Sequence, residues 1–217
     1  MVARQRQTHG EEVANVLTHG AGMLFGIAAI IVLMTAAIRS GNPWAVGSFA
    51  VYSVCMTLSY VTSTFYHAST NARQKRLLRR FDHSAIYLHI AGTYTPFTLV
   101  ALRQEGYWGW TLFAVVWIAA VVGVWLSFRR MRKKDHLKTV CYLAMGWVVV
   151  IAFKPLLHVL HETDSMDVLY WLIGGGLFYT AGSLCFFLDK YKYMHPAWHL
   201  FVLGGSVCHF ISVYLLV

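Results

Sequence analysis

Three histidines, His195, His199 and His209, stand in an apolar run from Met194 to Val217 that is long enough to cross a bilayer. At 100° per residue they and Ser206 fall within an arc of about 80° on one helix face. Imidazoles four residues apart on a helix can both reach one metal ion, and polar groups inside a membrane segment are costly enough to mark function. His67, at the end of an earlier apolar run, offers a third imidazole. Three histidines and a water make the open tetrahedral site that zinc enzymes use, and Asp82 would orient that water. Ser63, four residues before His67 and on its face, suits a bond to that histidine or to the water.

Each residue also has a plainer reading. A histidine near a helix end serves as a dipole partner, Asp82 serves as an N-terminal helix charge, and His195 before Pro196 simply starts a helix. The metal reading gains from coincidence, since these groups come from three separate helices yet reach one leaflet. Glu12 and Asn15 either cap the first helix or share a face with His19, one turn further on, which is expected to back the ligands. His89, seven residues after Asp82 and within about 20° of its face, either extends a polar path into the bundle or packs. His209 lies about 15 Å along the helix from His199, too far to share its ion, and is expected to bond another helix or line a cavity.

The elements that position these groups are apolar. Of the 217 residues 58% are hydrophobic and 12% charged, with a mean hydropathy of +0.54. Soluble domains carry about 25% charged residues, so the chain reads as an all-α integral membrane protein. Nothing between Met1 and Asn15 resembles a signal-peptide core, and no processing is expected. Cys55, Cys141, Cys185 and Cys208 all lie in apolar runs without paired spacing and read as packing residues. The net charge of +9 sits in short blocks between apolar runs without interleaved aromatics, so membrane orientation explains it better than nucleic acid.

With about 20 apolar residues per crossing, seven spans are predicted: Val16 to Ile38, Trp44 to Tyr66, Ile86 to Leu102, Trp108 to Phe128, Val140 to Leu160, Val168 to Leu188 and Pro196 to Val217. The third is interrupted by Gly92, Thr93, Thr95 and Pro96, and a kink is expected there. Fifteen of the 18 Lys and Arg residues, from Arg4 and Arg6 through Arg73–Arg80 and Arg129–Lys138 to Lys190 and Lys192, fall on one side of this topology. Only Arg39, Arg103 and Lys154 fall on the other. That asymmetry puts the amino terminus in the cytoplasm and the carboxyl terminus outside, in one seven-helix domain over residues 1–217 of the cell (inner) membrane.

Glu12, Asn15 and His19, then Ser63 and His67, then Phe81-Asp82-His83, and finally His195-Pro196-Ala197-Trp198-His199 resemble the hemolysin III family. Its members are bacterial relatives of the progestin and adipoQ receptors, which include the adiponectin receptors. The resemblance covers nearly the whole chain in order. It implies a seven-helix bundle with its amino terminus inside and a zinc ion held by His67, His195 and His199, with the residue at Asp82 reaching the zinc through water. It also implies a likeness to alkaline ceramidases, since slow ceramide hydrolysis has been attributed to the adiponectin-receptor site.

These readings together predict a zinc-dependent hydrolase of lipid amides, in which Asp82 positions the water and accepts its proton while zinc or Ser63 stabilises the oxyanion. Membrane lipid is the expected partner and substrate. A sensor or regulator of membrane state with a structural zinc is the alternative. A channel or cytolysin comes third, because the sequence shows neither an amphipathic lytic segment nor a ring-forming charge pattern. Reporter fusions test the orientation: those in the second and fourth loops should report cytoplasm and one at Val217 the exterior. A cytoplasmic reading at Val217 would remove the argument that the histidines share a leaflet.

Overall fold

A computed structural model describes residues 7–129 and 136–217. Every regular element among them is helical: α1 (His9–Arg39), α2 (Pro43–Ala68), α3 (Ala72–Pro96), α4 (Trp108–Phe128), α5 (His136–Gly146), α6 (Phe153–Glu162), α7 (Met166–Phe187) and α8 (Met194–Tyr214). The segments His9–Arg39, Pro43–Ala68, Trp108–Phe128, Lys138–Glu162, Met166–Phe187 and Met194–Tyr214 are long and apolar enough to cross a membrane. α3 is not among them. Of the orientation charges, Arg4, Arg6, Arg130, Arg132, Lys133 and Lys134 lie outside the described residues.

Side-chain contacts give the direction of each helix. Gly22 and Gly26 of α1 meet Tyr60 and Thr57 of α2, and Cys55 and Ser59 of α2 meet Gly92 and His89 of α3. Each pair therefore runs antiparallel. Tyr87 and Thr95 of α3 meet Gly123 and Trp117 of α4, again antiparallel, whereas Tyr142 and Val149 reach His83 and Tyr94 in parallel order. α7 and α8 run antiparallel through Gly182 with Phe201 and Gly175 with His209. α1 and α8 run parallel, from Glu11 with Tyr193 to Phe25 with Phe210.

Two helices begin at least seven residues earlier than hydropathy predicts. α1 starts at His9 rather than Val16, because Thr8 caps it and forms a reciprocal capping box with Glu11. Glu12 and Asn15 are thus inside the helix, and the capping role considered for them belongs to Thr8. α3 starts at Ala72, capped by Asn71, so its charged first turns are helix rather than loop. Asp82 lies more than two turns inside it, which removes its reading as an N-terminal charge. Past Asp82, α3 is walled in, with Ala91 to Thr98 all buried, and a helix shielded from lipid can carry Gly92, Thr93 and Thr95. At Pro96 it passes into a π-helical turn, Phe97–Ala101, rather than a simple kink.

The predicted fifth span, Val140 to Leu160, is broken. α5 ends at Gly146, a 3₁₀ stretch covers Trp147–Ala152, and α6 carries Pro155, whose missing N–H and ring bulk disfavour a continuous helix across the preceding turn. Tyr94 of α3 splices the break. Its hydroxyl donates to Gly146 O at 2.6 Å and accepts from Val149 N at 2.9 Å, pairing backbone groups that lipid would leave unsatisfied. Tyr94→Phe removes both bonds while keeping the ring. It should destabilise the protein by about 1–3 kcal/mol. A thermal melt in detergent measures this, and a midpoint equal to wild type would deny the splice its role.

Candidate metal centre

The last turn of α2 and the first two turns of α8 meet at one end of the bundle. They bring His67, His195 and His199 together so that one nitrogen from each lies within 4.8 Å of the others. Ring centroids are 5.1 Å apart for His67 and His195, 5.2 Å for His67 and His199, and 4.6 Å for His195 and His199. His67 and His199 are buried and His195 is half-buried.

The surrounding bonds fix which nitrogens face inward. Nδ1 of His67 lies 2.7 Å from Glu12 Oε2, and a carboxylate can only accept, so Nδ1 carries the proton. Lys75 Nζ donates to the other oxygen of Glu12 at 2.6 Å. Asn15 brings Nδ2 within 3.2 Å of the same ring nitrogen and donates to Gln7 Oε1 at 2.9 Å. Thr18 places Oγ1 3.1 Å from His199 Nδ1 while donating its own proton to Ala14 O at 2.8 Å, so it accepts from the imidazole. Nε2 of His67 and Nε2 of His199 are then lone pairs, buried and with no hydrogen-bond partner among the described residues. Neutral imidazoles with Nδ1 bonded outward are the form in which histidine binds metal. The trio fits a metal ion.

The carboxyl beside this trio belongs to Asp82. Burial pushes it up from its ordinary value, against the opposing pull of His67, a hydrogen bond from Ser63 and the charge of Arg79. His19 does not hydrogen-bond the trio. It stacks on His199, centroids 3.4 Å apart and planes at 20°, with both ring nitrogens buried and unpartnered among the described residues. His89 bonds Ser59 at 3.1 Å, and His209 bonds Leu172 O at 3.2 Å, both away from the trio. A cavity of about 1570 Å³ connects these places, lined by Glu12, His67, Asp82 and His195 at one end and by Tyr94, Leu156 and His209 further in.

Sequence reasoning missed Thr18, Lys75 and the pair formed by Glu11 and Tyr193. Tyr193 takes the left-handed conformation, φ 63°, to turn the chain into α8, and its N–H donates to Glu11 Oε1 at 3.0 Å. A left-handed tyrosine is strained, and this bond helps hold it beside the candidate ligands. Thr18 and Lys75 gave no local signal, since Thr18 meets a histidine 181 residues away and Lys75 a carboxylate 63 residues away.

The sequence profile of the family described as Haemolysin-III related matches residues 7–210. The chain is 41% identical to Hemolysin-3 of Bacillus cereus over 212 residues, covering 98% of this chain and 94% of that protein. It is 40% identical to the Hemolysin-3 homolog of Bacillus subtilis (strain 168) over 203 residues, 94% of this chain and 92% of that one.

Glu12→Ala and Thr18→Val each remove an outward partner of a candidate ligand and should lower metal affinity by about 10 to 100-fold. His199→Ala removes a ligand and should abolish tight binding. Metal content of purified variants, with competition against a chelator, reads both effects. Full metal in His199→Ala would mean that the ligands are others.

Proposed function

The chain belongs to the haemolysin-III related family, and we propose that it is a zinc-dependent hydrolase of lipid amides embedded in the cell (inner) membrane. The observation that carries this reading is the pair of inward lone pairs at His67 and His199, grouped with His195 at one end of a largely apolar cavity. Nitrogen-only sets of three suit catalytic zinc, and an apolar cavity of this size suits an acyl chain. Seven crossings with the amino terminus in the cytoplasm put the site at the cytoplasmic leaflet, where membrane lipid is the substrate and nucleic acid has no part.

When bound by His67, His195 and His199, zinc would acidify a water and polarise an acyl carbonyl. Glu12 and Thr18 hold two of these imidazoles in the tautomer that presents Nε2. Ser63 fixes the Asp82 carboxylate by hydrogen bond. Asp82 takes the proton of the attacking water as the new C–O bond forms at the acyl carbon. It returns that proton to the nitrogen as the C–N bond breaks, leaving a fatty acid and an amine.

Asp82→Asn keeps the size of this side chain and one acceptor oxygen but not its basicity. The variant should fold and keep its zinc while losing about 10²- to 10⁴-fold in turnover, the usual worth of a positioned general base. Zinc per protein and fatty-acid release from a panel of lipid amides, wild type against variant, make the test. Equal turnover in both would retain the enzyme and dismiss Asp82 as its base. Full zinc with no turnover on any amide or ester would favour a structural zinc in a sensor of membrane state.

A further inference from the structure

A second group of polar side chains lines the same cavity deeper in the bundle. His89 lies seven residues beyond Asp82 on α3 and His209 ten beyond His199 on α8, roughly 10 to 15 Å along the helices at 1.5 Å per residue. They are only 7% and 8% exposed. Their rings flank that of Tyr179, with centroids 6.2 and 5.3 Å away. Tyr179 is itself held, its hydroxyl 2.8 Å from Ser206 Oγ, which Tyr60 OH bonds at 2.6 Å. The ring of His209 sits against Gly175, where a Cβ would run into it.

The bonds around this pair decide what it can bind. Ser59 gives its proton to Met56 O at 2.8 Å and so accepts from Nδ1 of His89. Nε2 of His209 donates to Leu172 O. The other ring nitrogens, Nε2 of His89 and Nδ1 of His209, are therefore two acceptors, buried and without partners among the described residues. Buried acceptors left unpaired are costly, so the cavity favours an occupant that brings a donor. Glu12 and Asp82, the acidic residues among those lining the cavity, both belong to its other end, so a cationic donor would lack a counter-charge here. A neutral donor fits.

We propose that His89 and His209 form a subsite for a hydroxyl carried partway along the acyl chain of the cavity's lipid. Its distance from the head group rests on the reading that the acyl carbonyl lies at the histidine trio. Equilibrium binding to the zinc-loaded protein in nanodiscs tests it with three probes: stearate, stearate hydroxylated about halfway along, and stearate hydroxylated beside the carboxylate. Wild type should bind the mid-chain hydroxystearate about five- to tenfold more tightly than stearate, the value of one added hydrogen bond, with no such gain for the third probe. The hydroxyl's one proton pairs with one of the two nitrogens at a time, so the double variant His89→Phe/His209→Phe should bring that ratio toward one, each single phenylalanine variant should lower it, and His209→Gln, which keeps an acceptor oxygen, should lower it less than His209→Phe. Zinc content reports whether each variant is folded. Stearate binding without discrimination in wild type, or discrimination surviving undiminished in the double phenylalanine variant, overturns the subsite and leaves water as its occupant while sparing the hydrolase reading. Failure of all three probes to bind zinc-loaded wild type overturns the acyl-binding reading and the subsite with it.

Discussion

Two adjacent carboxylates on α1 tie that helix to both helices that carry the candidate ligands. Glu12 accepts from His67 of α2 and from Lys75 of α3, so one buried-edge carboxylate sets where three helices meet. Glu11 accepts from Tyr193 N at the start of α8 while completing the α1 capping box. Lys75 and Glu12 form a partly buried charge pair, and removing either leaves the other uncompensated, which makes that contact sensitive. The positions of His67 and of the His195–His199 turn thus both refer to the first two turns of α1. The arrangement of the three histidines is thereby referred to α1 as well as to packing within α2 and α8.

The same low-dielectric constraint shapes the middle of the bundle. A broken helix is tolerable in lipid only when something pairs its loose backbone groups, and Tyr94 does so for the break between α5 and α6. Buried α3 can supply that tyrosine because its surroundings are other helices. Its polarity, which leaves it out of the helices that are long and apolar enough to cross a membrane, is therefore a consequence of its central place. The cavity lies against this helix, with Asp82, His89 and Tyr94 succeeding one another along it.

The grouping of the three histidines was legible because its spacing is local, a pair four residues apart on one helix and a third histidine at the end of an apolar run. The helical class was legible from composition. Helix starts were not, since hydropathy follows lipid contact while a helix ends where its cap is, at Thr8 and Asn71. Thr18 escaped notice because a threonine that bonds back to its own helix looks like any packing residue in sequence. Lys75 was counted among the charges that set orientation, and its bond to Glu12 depends on a crossing that no local pattern encodes. The break at Gly146 was hidden for a related reason, since a continuous apolar stretch reads as one helix until a tyrosine from elsewhere is seen inside it.

His19 bears on whether the trio is an open or a closed site. It is the nearest additional imidazole, and a fourth protein nitrogen would favour a structural ion. Imidazole lone pairs lie in the ring plane, however, and the ring of His19 is stacked nearly parallel on that of His199. Its nitrogens are directed alongside whatever Nε2 of His199 faces rather than at it. The group of converging ligand atoms accordingly contains three histidines and not four, and the cavity reaches both His67 and His195. Three nitrogens with cavity space beside them would leave a bound ion a coordination position for something other than protein, the feature by which a reactive metal site differs from a clamp.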